Sequence, residues 1–166
     1  MGINLTNFFH FNLFKAILLG NKIFVYLASV KSTKDQSQVV RIKKAVISYN
    51  NKGLLKIVLA DYDEITHDDV LEQRKVVQDL TQGQPHVVLA IAGRRTSATK
   101  EAREYSSANI PEGRLAEAVL IKSLPVRIMG KFYINFNKPL VPTQLFDNEN
   151  EALTWLNTRL FEAGVS

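Results

Sequence analysis

The densest chemistry in the chain lies in residues 86–105, where His86-Val-Val-Leu-Ala-Ile-Ala92 runs into Gly93-Arg-Arg-Thr-Ser-Ala-Thr-Lys-Glu-Ala-Arg-Glu-Tyr105. A buried strand that breaks at one glycine and turns into a helix brings unpaired helical N–H groups, and the positive end of the helix dipole, to its tip. At such a tip Arg94, Arg95 and Lys100 are candidates for docking an anion or a protein partner. The hydroxyls of Thr96, Ser97 and Thr99 are candidates for phosphorylation, since added phosphate charge is favoured both by the dipole and by the neighbouring arginines. The same hydroxyls have a purely structural use as helix caps, worth about 1 kcal/mol each.

No other stretch offers a comparable concentration. Asp61, Asp63, Glu64, His67, Asp68 and Asp69 form an acidic cluster that imitates a metal site, but oxygen-bearing residues at a helix entrance serve as turn and cap residues, so no metal is expected. Ser106, Ser107 and Ser123 lack a glycine-flanked nucleophile elbow, and no spacing supplies a histidine base. Gly93 stands alone and makes no phosphate-cradling loop. No catalytic residue and no cofactor is therefore assigned, and the chain reads as a non-enzyme.

The elements that must hold the Gly93 turn come next. The chain has 166 residues, 46% hydrophobic and 22% charged, which suits one globular domain with a real core. It has no cysteine and three scattered histidines, which excludes a disulfide scaffold and thiolate metal sites and fits a reducing cytoplasm. The net charge of +5 is uneven. Residues 1–35 hold four lysines and one acid, whereas residues 36–166 hold 17 basic and 15 acidic residues, so the folded part is nearly neutral and no nucleic-acid partner is expected.

Residues 3–30 are rich in apolar side chains but interrupted by Asn7, His10, Asn12, Lys15, Asn21 and Lys22. A bilayer span needs about 20 mostly apolar residues, which this segment lacks. Ile3, Phe8, Phe11, Phe14 or Lys15, and Leu18 fall on one helical face, so peripheral membrane contact through residues 1–35 and packing on the domain both stay open. Residues 32–38 read as a linker. The expected division is an extension and linker over 1–38, a domain over 39–162 and a tail over 163–166.

Within the domain, residues 40–49 and 54–60 are aliphatic runs joined by Asn50-Asn-Lys-Gly53, a predicted hairpin. Thr66-His-Asp-Asp69 predicts a capped helix start, followed by Val70, Leu71, Arg74, Val77 and Leu80 at helical spacing until Thr81-Gln-Gly-Gln-Pro85. The unbroken apolar run 86–92 predicts a central strand. A second helix over about 97–109, a strand over 116–122 and a helix starting near Pro125 follow. A short edge strand over 143–146 and a last helix capped by Asp147, with Ala152, Leu153, Leu156 and Leu160 on one side, complete the pattern. The order β-β-α-β-α-β-α-β-α predicts an α/β domain: a mixed β-sheet of about five strands with helices packed on it, its parallel strands joined by right-handed crossovers.

Residues 39–162 resemble the STAS domain, the anti-sigma-factor-antagonist-like fold, and look closest to its uncharacterised bacterial branch, often labelled STAS/SEC14-like. The resemblance rests on residues 92–105, on Ala118-Val-Leu-Ile-Lys-Ser-Leu-Pro125 with Ile128-Met-Gly-Lys-Phe132, and on Asn137-Lys-Pro-Leu-Val-Pro-Thr-Gln-Leu-Phe-Asp147 with Ala152-Leu-Thr-Trp-Leu156. It implies a bacterial, cytoplasmic regulatory domain that acts by binding another protein through the turn at the start of the second helix. In the antagonist branch a serine at that place, in an Asp-Ser-Ser-Gly type motif, is phosphorylated by a partner kinase. Here the place holds Thr96, Ser97, Ala98 and Thr99, without the acid and the glycine and with Arg94 and Arg95 ahead of them. The SEC14-like label implies an apolar ligand, such as a lipid, for which the aromatic cluster Phe132, Tyr133 and Phe136 is the candidate pocket. Homo-oligomers remain open.

Overall fold

The computed structural model describes residues 37–165 together with two short strands nearer the N-terminus. Those strands, β1 (Ile17–Leu18) and β2 (Ile23–Phe24), pair antiparallel with Ile17 opposite Phe24. They belong to a unit spanning Met1–Lys34, separate from the unit Asp35–Ser166. Leu18 thus stands in a strand and not on a helix, and the rest of the expected helical face, Ile3, Phe8, Phe11, Phe14 and Lys15, lies outside the described residues.

The second unit is built on a six-stranded mixed sheet. Its strands are β3 (Gln38–Arg41), β4 (Ala45–Tyr49), β5 (Leu54–Leu59), β7 (His86–Ile91), β9 (Arg114–Leu120) and β10 (Thr143–Phe146), in the spatial order β10-β9-β7-β5-β4-β3. Two further strands, β6 (Glu64–Ile65) and β8 (Ser97–Ala98), form a small parallel sheet of their own. The helices are α1 (His67–Thr81), α2 (Lys100–Ala108), α3 (Leu124–Phe132), extended by a π-helical turn over Tyr133–Asn137, and α4 (Glu149–Glu162).

The strand count exceeds the expected five because the run 40–49 is two strands. The chain folds back at Ile42, whose N–H donates to Ala45 O at 2.9 Å, and residues 38–41 pair with 46–49. The sheet therefore includes Gln38, the last residue of the expected linker. The hairpin between β4 and β5 forms where Asn50-Asn-Lys-Gly53 predicts it: Asn50 Oδ1 accepts from the Lys52 and Leu54 N–H groups, and Gly53 takes φ +88°.

From β5 onward every pairing is parallel, and each new strand is added on the same side of the last, β5 to β7 to β9 to β10. Right-handed crossovers that all step in one direction place their helices on one face, so α1, α2 and α3 share a side. The last helix, α4, covers the other. The alternation of side chains divides the core accordingly. Ala45, Ile47, Leu55, Ile57, Val88 and Ala90 pack with Val77 and Leu80 of α1, while Val87, Leu89, Ala116, Ala118, Leu120 and Phe146 pack with Ala152, Leu156 and Leu160 of α4. β7 has neighbours on both edges and both faces, and His86 through Leu89 are fully buried, as the unbroken apolar run requires.

Candidate functional site

α1 starts as expected. Thr66 is its N-cap, its hydroxyl accepting from Asp69 N while the Asp69 carboxylate accepts from Thr66 N at 2.8 Å and from Thr66 Oγ1 at 2.7 Å. Lys44, from the β3–β4 turn, adds an ion pair to the same carboxylate at 2.9 Å, a second to Asp63 at 3.3 Å and a hydrogen bond to Glu64 O at 2.6 Å. Burial of Asp69 opposes its charge, but the Thr66 and Lys44 contacts outweigh it and hold the carboxyl at about 2. Asp61 goes elsewhere: the Arg94 N–H, then its guanidinium, bind this carboxylate and hold it below the usual range. His67 meets the Tyr105 ring edge-on at 4.7 Å. The acidic cluster is thus dispersed over cap, turn and ion pair, and among the described residues no three His, Asp or Glu side chains stand where they could hold a metal ion.

The Gly93 turn differs from the expectation. The strand does not pass straight into a helix at residue 97. The segments after β5 and β7 first zip together: Tyr62 N donates to Arg94 O, Ser97 N to Asp63 O and Thr99 N to Ile65 O, which pairs β6 with β8. Backbone donors counted as free helical N–H groups are used up in that ladder, and α2 begins at Lys100. The three hydroxyls consequently part. Thr96 is buried and donates to Ala60 O at 2.6 Å, Ser97 is exposed on β8, and Thr99 is the N-cap of α2, accepting from Ala102 N. Gly93 is needed for close approach, since a Cβ there would lie 2.3 Å from Ala60 O. Arg94 is paired to Asp61 at 2.9 Å, and Arg94 and Arg95 both stand over the exposed Tyr62 ring, 5.4 and 5.9 Å from its centroid. Lys100 faces Glu104 along α2 at 3.7 Å. The basic residues therefore form no single cluster at the helix tip.

A cavity of about 250 Å³ lies between the sheet and its three crossover helices. Its floor is Ile57, Ala90, Ala92 and Val119, and its walls are Val70 and Val77 of α1, Ala102 and Ser106 of α2, and Val126, Met129 and Tyr133 at α3, with Ser97 and Ala98 at one end. At the other end stand Arg114 and Glu117, paired at 3.1 Å with side chains 11% and 17% exposed. Residues three apart in a strand normally face opposite ways. Here the β7–β9 register shifts, His86 opposing Arg114 and Val87 opposing Ala116, and this bulge turns both charges into the cavity. Arg114 and Gln73 both line it, and Arg114 Nε and Gln73 Nε2 are enclosed and lack a hydrogen-bond partner. Burial first, and the Glu117 charge second, push the Tyr133 phenol far above its ordinary range, so it remains a proton donor.

The aromatic cluster is divided by the cavity wall. Tyr133 lines the space, whereas Phe132 and Phe136 stack on each other outside it, 5.3 Å apart and 53% and 74% exposed. At the last helix, Asn148 and not Asp147 is the cap, accepting from Asn150 N and Glu151 N, because Asp147 is engaged with Arg127 at 2.8 Å. The sequence reading missed Arg114, Glu117 and Gln73. A glutamate inside the apolar run Leu115-Ala-Glu-Ala-Val-Leu120 is the one signal that pointed to them.

Fold and cavity together define an α/β domain with a mostly apolar cleft, lined also by Arg74, Arg103 and the Arg114–Glu117 pair, under the helices of a mixed sheet. The chain belongs to the family described as domain of unknown function DUF7793, whose model matches residues 47–160. Among solved structures it is similar to an uncharacterised protein of the DUF3478 family with a SpoIIAA-like fold from Shewanella loihica PV-4. The identity is 14% and the TM-score 0.41, over 77% of this chain and 98% of that one. No curated protein matches it.

Proposed function

We propose that the domain is a non-catalytic, STAS-like binding module that holds a small amphipathic molecule in the cleft. Such a molecule would have an apolar body and an acceptor head such as a carboxylate. The observation that carries this reading is a mostly apolar cavity with the enclosed Arg114 guanidinium, whose Nε has no partner, among its lining residues. A buried guanidinium N–H without an acceptor costs about 1–3 kcal/mol, which a ligand oxygen would recover, and the apolar walls supply burial for the rest of the molecule. Gln73 Nε2 and the Tyr133 hydroxyl are further donors on the same lining. The STAS-like part of the reading is supported by the element order and by the sequence segments that resemble the family.

The test is calorimetric titration of the full chain with octanoate and with octanol. Wild type should bind the carboxylate and prefer it over the alcohol. Ala92→Leu, which adds three carbons to the floor, should abolish binding, and Arg114→Gln/Glu117→Gln should remove the preference for the carboxylate. Equal binding by all three proteins, or no binding by wild type, would refute the cleft as a ligand site. Native mass spectrometry of freshly purified protein gives an independent check, as a co-purifying amphiphile should be lost in Ala92→Leu.

A second reading, docking of a cytoplasmic protein at the Gly93 turn, is favoured by the exposed Tyr62 with Arg94 and Arg95 over its ring, since tyrosine and arginine dominate interface hot spots. On this reading Ser97, the exposed hydroxyl of the three, is the modifiable one, and phosphopeptide mapping should find Ser97 and not Thr96. Phosphate on Thr96 in folded protein would sink this assignment.

A further inference from the structure

We infer that the outer face of α3 and its π-helical turn docks on an anionic lipid surface. Of the eleven large hydrophobic side chains exposed among the described residues, six lie between Leu124 and Leu140: Leu124, Ile128, Met129, Phe132, Phe136 and Leu140. Leu124, Ile128 and Phe132 recur every four residues along α3, and the wider π turn keeps Phe136 stacked on Phe132. The result is a continuous apolar stripe and not a scatter of single residues.

Charge identifies the occupant. Residues 121–146 carry Lys122, Arg127, Lys131 and Lys138 and no aspartate or glutamate, within a domain that is otherwise close to neutral. Arg127 is held by Asp147 at 2.8 Å, while Lys122, Lys131 and Lys138 are exposed and have no carboxylate partner among the described residues. Exposed phenylalanine and leucine flanked by unpaired lysines suit the boundary of an anionic bilayer, where rings and aliphatic groups enter the acyl region and lysine stems extend to the headgroups. Protein interfaces, by contrast, are depleted in lysine. No helix among the described residues is long and apolar enough to cross a membrane, so the mode is surface docking with α3 in the interfacial plane. The inference does not depend on what the cleft holds, because Phe132 and Phe136 stand outside it.

The experiment is flotation of the full chain with vesicles of phosphatidylcholine alone and of equal parts phosphatidylcholine and phosphatidylglycerol. Wild type should float with the anionic vesicles and not with the neutral ones, and binding should weaken on raising the salt. The Lys122→Gln/Lys131→Gln/Lys138→Gln variant should bind roughly 100-fold more weakly, at roughly 5-fold per lysine. Phe132→Ser/Phe136→Ser should also lose binding while unfolding at the temperature of wild type, since both rings are exposed. Flotation unchanged in both variants would overturn the proposal and place any lipid contact on residues 1–35. Equal flotation with neutral vesicles would overturn it too. So would absence of flotation with a dimer that the Phe132→Ser/Phe136→Ser variant dissolves, which would make the face an interface between two copies of this chain.

Discussion

Asp69→Asn tests the junction on which the first helix is mounted. The Asp69 carboxylate accepts from Thr66 N and Thr66 Oγ1 and pairs with Lys44, itself bound to Asp63 and Glu64 O, so one side chain ties the β3–β4 turn to the start of α1. Asparagine is isosteric and keeps one acceptor for Thr66 but loses the charge. The carboxyl is lowered from 3.8 to about 2 in the folded protein, a difference equivalent to about 2 kcal/mol of stability. A carboxyl lowered on folding contributes fully above its unfolded pKa and loses that contribution as the pH falls through the folded value. The thermal unfolding midpoint of Asp69→Asn at neutral pH should therefore fall by roughly 6 °C relative to wild type. The gap should close between about pH 4 and pH 2, as wild type protonates and the variant has nothing there to titrate. A neutral-pH cost well under 1 kcal/mol, or a gap that persists unchanged at pH 2, would refute the reasoning.

Other substitutions probe the Gly93 turn. Gly93→Ala should destabilise by on the order of 3 kcal/mol in urea unfolding, because its Cβ would collide with Ala60 O at 2.3 Å and with Thr96 Oγ1 at 2.5 Å and backbone must move. A cost below about 1 kcal/mol would mean that the two loops are not zipped as described. Thr99→Ala should cost about 1 kcal/mol as a lost cap, while Ser97→Ala on the exposed side of β8 should be near neutral. The reverse ranking would return the cap to Ser97.

The local elements were legible because their signals are local. Thr66-x-x-Asp69 closes a capping box within four residues, and Asn50 to Gly53 makes its turn with bonds inside the turn. The unbroken run at 86–92 announces a strand covered on both faces. Boundaries failed where a distant strand competes for the same backbone groups. Residues 96–99 look like a helix start, yet the loop after β5, over thirty residues earlier in the chain, takes their N–H groups into a ladder. Asp147 looks like a cap, yet Arg127 claims its carboxylate and Asn148 takes over.

The amino-acid order by itself determined the α/β class, the hairpin, the central strand and the helix faces, since burial periodicity and short-range hydrogen bonding are properties of neighbouring residues. Only the folded chain decided which groups meet. The bulge in β9 turns Arg114 and Glu117 into one cleft, and the common direction of three crossovers raises the walls of that cleft. The same cleft wall separates Tyr133 from the exposed rings of Phe132 and Phe136. Those outcomes depend on strand register and on the hand of crossovers, relations between segments far apart in the chain that no local pattern of residues encodes.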